Sequence, residues 1–160
     1  MIGNDIVDLN LARKESNWRR KGFLEKIFSI REQELIHKSQ DPEIMIWNLW
    51  TRKEAAYKIY NRLTGINGYF PWMLECLYED ESSGKVTIED FKFHTQTQIT
   101  NGYIYSEAVF ELADFLKIKS LQTLDNVKKN NRIPYFLDND NIIRPVSITH
   151  HGDFHRIILL

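Results

Sequence analysis

The chain has 160 residues, of which 42% are apolar and 27% are charged, a balance typical of a folded globular domain and not of a disordered chain. Its formal net charge is −1, so we expect neither nucleic acid nor a membrane surface as a partner. This length suits one domain, which we expect to span residues 1–160.

Cysteine content and the N-terminus bear on the compartment. A single cysteine, Cys76, excludes an internal disulfide bond and fits a reducing environment. The N-terminal stretch MIGNDIVDLN has two acids and no basic residue, unlike a secretory signal. No apolar run approaches the roughly 20 residues that a membrane-spanning helix requires. We therefore expect a cytoplasmic location.

The first predicted element is a short strand over residues 2–9, with turn character at Gly3-Asn4. If Ile6 faces the core from this strand, Asp5 faces the other side, because successive strand residues point in opposite directions. A buried or cleft-facing Asp5 would require a cation or hydrogen bond donors. Asp8, three residues further on, is not expected to share a metal ion with Asp5.

A basic segment and two helices follow. Residues 9–21 carry the one local excess of positive charge and predict a helix or helical turn that ends at Gly22. Ser29 and Glu32 have the spacing of a capping box and predict a helix that runs to about residue 39. A long amphipathic helix is predicted from residue 42 to residue 63, with Gly65 just beyond its end.

The second half of the chain has the pattern of strands separated by turns. Strands are predicted at residues 73–80, 85–93, 91–99, 103–112, 146–149 and 154–160, with turns at 82–84, 100–102 and 150–153. Residues 113–131 are ambiguous, and we expect them to be irregular. The sequence therefore predicts an α+β fold in which an antiparallel sheet packs against the long helix.

Glu54 and Lys58 permit two interpretations. They lie four residues apart on the long helix, in the order that stabilises a helix by about 0.2–0.5 kcal/mol as a solvated ion pair. Trp50 and Tyr57 share their flank, however, and a carboxylate and an ammonium half-buried among aromatic rings are costly and often functional. One carboxylate from Asp5 and one from Glu54 would suit Mg²⁺, which takes one or two carboxylates beside water and phosphate oxygens.

The pair His150-His151 lies between two predicted strands, after Ser147 and Thr149. A zinc site is not expected there, because the other histidines and the single cysteine lack a suitable spacing. A polar turn is one interpretation of these residues. A phosphate contact from hydroxyl and imidazole groups at a strand end is the other.

Five short motifs occur in a consistent order along the chain. They are residues 3–9 (GNDIVDL), 28–34 (FSIREQE), 50–58 (WTRKEAAYK), 64–66 (TGI), and 134–135 (PY) with 146–150 (VSITH). In this order they resemble the motifs of the 4′-phosphopantetheinyl transferase superfamily, in particular its small, single-domain holo-acyl-carrier-protein synthase type. The resemblance covers almost the whole chain.

The resemblance implies the fold of that superfamily and transfer of 4′-phosphopantetheine from coenzyme A to a serine of an apo carrier protein, with release of 3′,5′-ADP. It implies that Asp5 and Glu54 bind Mg²⁺, and that Glu54 and Lys58 act in catalysis, Lys58 by stabilising charge on the pyrophosphate. Val7 stands where larger, two-lobed members carry a second acidic ligand, so water is expected there. The residues implied in coenzyme A binding are Lys53, Lys58, Gly65, Thr149 and His150.

The resemblance also implies partners. The basic residues Arg13, Lys14, Arg19 and Arg20 would dock an acidic carrier protein, although a solvated helix face explains them as well. Small members usually form homotrimers with sites between subunits, and the longer segment before Pro134 departs from that type. Two other functions stay open: a non-catalytic protein that binds coenzyme A or a carrier, and an unrelated Mg²⁺-dependent phosphohydrolase.

Overall fold

The computed structural model describes residues 1–66, 68–130 and 133–160. Within these ranges the helices are α1 (Leu9–Glu15), α2 (Phe23–Ile27), α3 (Ile30–Lys38) and α4 (Pro42–Thr64), with 3₁₀ turns at Pro71–Met73 and Leu112–Lys117. The strands are β1 (Ile2–Asp8), β2 (Glu75–Tyr78), β3 (Ser83–Ile88), β4 (Phe91–Ile99), β5 (Tyr103–Val109), β6 (Lys119–Leu121), β7 (Val127–Asn130), β8 (Ile133–Leu137), β9 (Ile143–His151) and β10 (Phe154–Leu159). No helix in the described ranges is long and apolar enough to cross a membrane.

The long helix α4 packs against an antiparallel sheet with the strand order β1-β5-β4-β3-β2. The predicted α+β fold with an antiparallel sheet on a long helix is therefore confirmed. Local sequence explains both ends of α4, since Asp41 caps the N-terminus and Gly65 follows the C-terminus in the left-handed conformation at φ 69°. Apolar residues of α4 that are fully buried against the sheet include Ile46, Leu49, Ala55, Ala56 and Ile59.

The predicted turn character at Gly3-Asn4 is wrong, because both residues lie inside β1. A Cβ atom on Gly3 would collide with the backbone carbonyl of Ala55. Glycine at this position therefore lets β1 approach α4 closely, and that approach brings the strand's side chains next to the side chains of the helix.

A second antiparallel sheet, not predicted as a separate layer, has the order β6-β10-β9-β8-β7. The expectation that residues 113–131 are irregular is wrong for β6 and β7, and Asn131 lies outside the described residues. The prediction that His150 and His151 form part of a turn is also wrong, since both end β9 and the turn is Gly152-Asp153.

Two other predicted segments differ from the structure, and one local feature agrees with it. Helix α1 ends at Glu15, and Gly22, at φ 81°, precedes α2 instead of closing the first helix. The predicted strand 85–93 is split by a turn at Glu89, whose φ of 50° is left-handed. The capping box is confirmed: Ser29 accepts from the backbone of Glu32, and the Glu32 side chain accepts from the backbone of Ser29.

Candidate active site

An acidic cleft lies between β1 and α4. Asp5, from the middle of β1, and Glu54, from the middle of α4, both line it. Its remaining lining residues are Ile6, Val7, Ala12, Ser16, Trp47, Trp50, His150 and His151. The two predicted metal-binding carboxylates, 49 positions apart in sequence, therefore face one space in the fold.

Lys58 lies at the edge of this cleft and is held from several sides. Its Nζ donates to the carbonyl oxygen of Asn4 at 2.6 Å, to Asp5 Oδ1 at 3.3 Å and to the carbonyl oxygen of Ile148 at 3.3 Å. Its side chain is 29% exposed, and it reaches the acidic cleft through Asp5, which lines that cleft. One lysine thus faces two carboxylates.

Glu54 is the carboxylate without a partner. Its pKa is raised to about 8, mainly by burial and also by the neighbouring Asp5, while Lys58 opposes both effects. No hydrogen bond from a described residue reaches its carboxylate. Burial also raises the pKa of Asp5, against the effects of Lys58 and Thr149. Two desolvated carboxylates that share one lysine would gain from a bound cation.

This donor set fits Mg²⁺, which is satisfied by one or two carboxylates, with water and phosphate oxygens as its other ligands. In the described ranges, no group of three or more His, Cys, Asp or Glu side chains is placed to hold a metal. A site for zinc or another metal that requires more protein ligands is therefore not indicated there.

Strand β9 lies beside the acidic cleft, and its side chains form hydrogen bonds with the backbone of β1. Ser147 Oγ accepts from the Asn4 N–H group at 3.0 Å, Thr149 Oγ1 from the Ile6 N–H group at 3.2 Å, and His151 Nδ1 from the Asp8 N–H group at 2.8 Å. Side chains of β9 thus take the place of a backbone ladder at the edge of β1. Thr149 Oγ1 also lies 3.0 Å from Asp5 Oδ1.

A basic cleft lies on the other side of Lys58, between α4 and the second sheet. From α4 it is lined by Tyr57, Lys58, Asn61 and Arg62, and from the second sheet by Lys129, Ile133, Pro134, Ser147, Ile148 and His150. None of these lining residues is acidic. His150 lines both clefts and therefore lies between them.

Comparison with known protein families shows which family the chain belongs to. Residues 1–114 match the family model of the 4′-phosphopantetheinyl transferase superfamily. The chain belongs to this superfamily. The transferase resemblance drawn from the motifs is thereby confirmed, and all five strands of the second sheet lie beyond the matched residues.

Individual relatives agree. The chain is 28% identical over 89 residues to a holo-[acyl-carrier-protein] synthase of Caldanaerobacter subterraneus subsp. tengcongensis, covering 55% of this chain and 67% of the relative. The Helicobacter pylori synthase solved with coenzyme A has a TM-score of 0.55 at 19% identity, over 69% of this chain and all of that one. The Thermotoga maritima synthase has a TM-score of 0.53 at 15% identity, over 99% of this chain and 82% of that one. These structures confirm the transferase fold.

Lys53, expected to contact a phosphate, is wrongly assigned. Its side chain is fully buried, and its ammonium donates to Glu32 Oε2 at 2.6 Å, to the Ile27 carbonyl at 2.8 Å and to the Pro71 carbonyl at 3.2 Å. These three bonds use all its protons. Lys53 therefore stabilises the fold of this transferase-family protein and does not face its clefts.

The other residues predicted to bind coenzyme A do not lie together in one cleft. His150 is exposed and lines both clefts. Thr149 is 5% exposed and is not among the lining residues of either cleft, so a direct phosphate contact from it is not supported. Gly65 is exposed beyond the end of α4, outside both clefts.

Three of the four predicted docking residues come together. Arg13, Lys14 and Arg19 line one surface pocket, in which Arg13 Nε bonds Glu43 Oε2 at 2.9 Å. The guanidinium of Arg20 instead lies 5.6 Å from the ring centre of Phe23. The structure leaves this face exposed and basic, as both earlier interpretations require.

Sequence reasoning missed Arg62 and Lys129. Arg62 donates to the backbone carbonyls of Ile2 and Val146, and burial lowers its pKa to about 10. Its position four residues after Lys58 places both on one face of α4, a signal the sequence did contain. Lys129 carried no such signal, because β7 reaches the cleft only through sheet pairing.

Proposed function

We propose that this protein transfers 4′-phosphopantetheine from coenzyme A to a serine of an apo carrier protein, with Mg²⁺ bound and with release of 3′,5′-ADP. The observation that carries the proposal is the position of Lys58. In a chain of this superfamily, Lys58 separates a cleft with two carboxylates from a cleft that is basic.

Asp5 and Glu54 would hold Mg²⁺ in the acidic cleft. The bound ion would supply neutralisation of charge on the diphosphate during attack at phosphorus. Lys58 would place its ammonium beside the oxygen that becomes part of the leaving 3′,5′-ADP. The carbonyl groups of Asn4 and Ile148 fix this ammonium before the reaction, so little reorganisation is needed.

The basic cleft would hold the nucleotide end of coenzyme A. The positive side chains Lys58, Arg62 and Lys129 suit its phosphate groups, and none of the described residues that line this cleft is acidic. Pro134 and Ile148 provide apolar surface for a heteroaromatic ring. The coenzyme A complexes of synthases with this fold support the choice of donor.

The carrier protein would supply the nucleophile, so this chain requires no nucleophilic serine beside a general base. Arg13, Lys14 and Arg19 form a basic surface that would attract an acidic carrier. Coenzyme A as donor and the free, buried Cys76 both fit the cytoplasm as the place of action. The homotrimer stays a prediction, which sedimentation of the purified protein tests.

The test is an intact-mass measurement. Purified protein, Mg²⁺, coenzyme A and a panel of apo carrier proteins should give a carrier that is heavier by one phosphopantetheine arm. Glu54→Gln should abolish this gain, whereas Glu34→Gln, the same change at an exposed position on α3, should keep it. Binding of coenzyme A with no gain on any carrier would overturn transfer and leave the non-catalytic binding protein as the function.

A further inference from the structure

Thr149 differs from its neighbours on β9 in what its hydroxyl does. Because Oγ1 accepts the Ile6 N–H group, its own single proton is free to point elsewhere, and Asp5 Oδ1 lies 3.0 Å away. The Thr149 hydroxyl thus links two groups of β1: it accepts from the backbone N–H of Ile6 and donates to the carboxylate of Asp5. This side chain is 5% exposed, so water competes little for the bond.

Ser147 provides the internal comparison. It lies two residues earlier on β9, is fully buried, and accepts the Asn4 N–H group at 3.0 Å, as Thr149 accepts that of Ile6. Its hydrogen bond to β1 involves backbone only, with no metal-site carboxylate. Both residues therefore hold the two sheets together, but Thr149 alone of the two also contacts Asp5.

Asp5 Oδ1 receives two donors, Thr149 Oγ1 at 3.0 Å and Lys58 Nζ at 3.3 Å. Two donors on one oxygen restrict rotation of the carboxylate. A carboxylate fixed before the ion arrives loses less conformational freedom on binding.

We propose that Thr149 is a positioning residue that orients Asp5 for a divalent cation. The inference rests on the proposed Mg²⁺ site. It assigns to the second sheet, which lies beyond the residues that match the family model, a direct part in cation affinity.

The test titrates Mn²⁺, an oxygen-seeking stand-in for Mg²⁺, into purified full-length protein and follows free Mn²⁺ by electron paramagnetic resonance, with and without 3′,5′-ADP. Thr149→Val should weaken Mn²⁺ binding by about 10–100-fold, the range for loss of a group that supports a metal ligand. Thr149→Ser, which keeps the hydroxyl, should restore binding. Ser147→Ala loses the equivalent bond to β1. Because Ser147 also lines the basic cleft, this control is read only in the titration without 3′,5′-ADP, where it should bind Mn²⁺ almost as the wild type does.

The outcomes separate the two proposals. Equal losses in Thr149→Val and Ser147→Ala would make Thr149 a purely structural residue and overturn its positioning role. Absence of Mn²⁺ binding by the wild type would overturn the metal site itself, and with it both proposals. Thr149→Ala removes the hydroxyl without placing a methyl group against the Ile6 N–H, and it replaces Thr149→Val if that variant does not fold.

Discussion

Two lysines of α4 form ion pairs that have opposite surroundings. Lys53 and Glu32 are 2.6 Å apart, and both side chains are fully buried. Lys58 and Asp5 are 3.3 Å apart, with side chains that are 29% and 14% exposed at a cleft. The two lysines are five residues apart on α4, so position on the helix decides which pair is closed and which stays open to a ligand.

The buried pair is saturated. Glu32 accepts from the backbone N–H groups of Ser29 and Cys76 besides Lys53, and the remaining protons of Lys53 go to backbone carbonyls. It therefore ties α3 and α4 to β2 and to the end of α2. The pair at the cleft has a third ionisable neighbour, Glu54, whose negative charge no described residue compensates fully, so that its pKa is raised to about 8. Each ammonium makes three hydrogen bonds, so the two pairs differ in exposure and not in the number of bonds. The fully buried pair can only stabilise the fold, whereas the partly exposed pair beside Glu54 can also contact a ligand.

The largest effect on stability is expected from Lys53→Met. The substitution leaves the Glu32 carboxylate buried without its counter-ion, which typically costs about 3–5 kcal/mol. The free energy of unfolding, measured by urea denaturation, should fall by that amount. A loss below about 1 kcal/mol would show that the pair does not hold the fold together.

Lys58→Met should affect activity instead. Loss of the charge that is proposed to stabilise the leaving 3′,5′-ADP should lower the rate of carrier modification by about 10²–10³-fold. The free energy of unfolding should change much less than in Lys53→Met, because water in the cleft can hydrogen-bond the acceptor groups that lose Lys58. Mass-based rates and urea denaturation on the same sample check both statements. Unchanged rates would remove Lys58 from the site.

The ionisation of Glu54 should make the free energy of unfolding depend on pH. Its pKa is raised from 4.5 to about 8 in the folded protein, so folding favours the protonated form. The resulting stabilisation is complete below about pH 4.5 and is lost as pH rises through 8. In chelator, Glu54→Gln should match wild-type stability near pH 5 and exceed it above pH 8, by on the order of a few kcal/mol at most. The same difference at both pH values would contradict an unneutralised Glu54.

The smallest effect is expected at Lys129, an exposed lysine outside both pairs that lines the basic cleft. Lys129→Ala should weaken coenzyme A binding by only a few-fold, since exposed charge interactions contribute about 0.2–1 kcal/mol. Lys128→Ala, the same change one position earlier on β7 and outside the cleft lining, is the control. Calorimetry at low salt checks the difference, and equal affinities would exclude Lys129 from binding.

Features set by nearby residues could be predicted from the sequence. The capping box at Ser29, the length of α4 and the left-handed Gly65 each depend on a few adjacent positions. Of the second sheet, β9 and β10 could be predicted as strands, but β6, β7 and β8 could not, because they are short, partly exposed strands without a clean alternation. Their pairing depends on contacts distant in sequence.

The same division applies to the candidate site. The motifs indicated Asp5, Glu54 and Lys58, and the fold brings these three together. They did not indicate that Lys53 is paired with Glu32, 21 residues earlier, or that Thr149 contacts Asp5 across 144 residues. A motif names a residue type at a position, but the partner that decides its role is set by packing.

One comparison tests the central claim most directly. Carrier modification is measured by intact mass for the wild type, Lys53→Met and Lys58→Met, and each rate is divided by the folded fraction of that variant under the assay conditions. We expect Lys53→Met to keep near wild-type activity per folded molecule and Lys58→Met to lose about 10²–10³-fold. Equal losses per folded molecule in both variants would contradict the division of α4 into a structural lysine and a functional one.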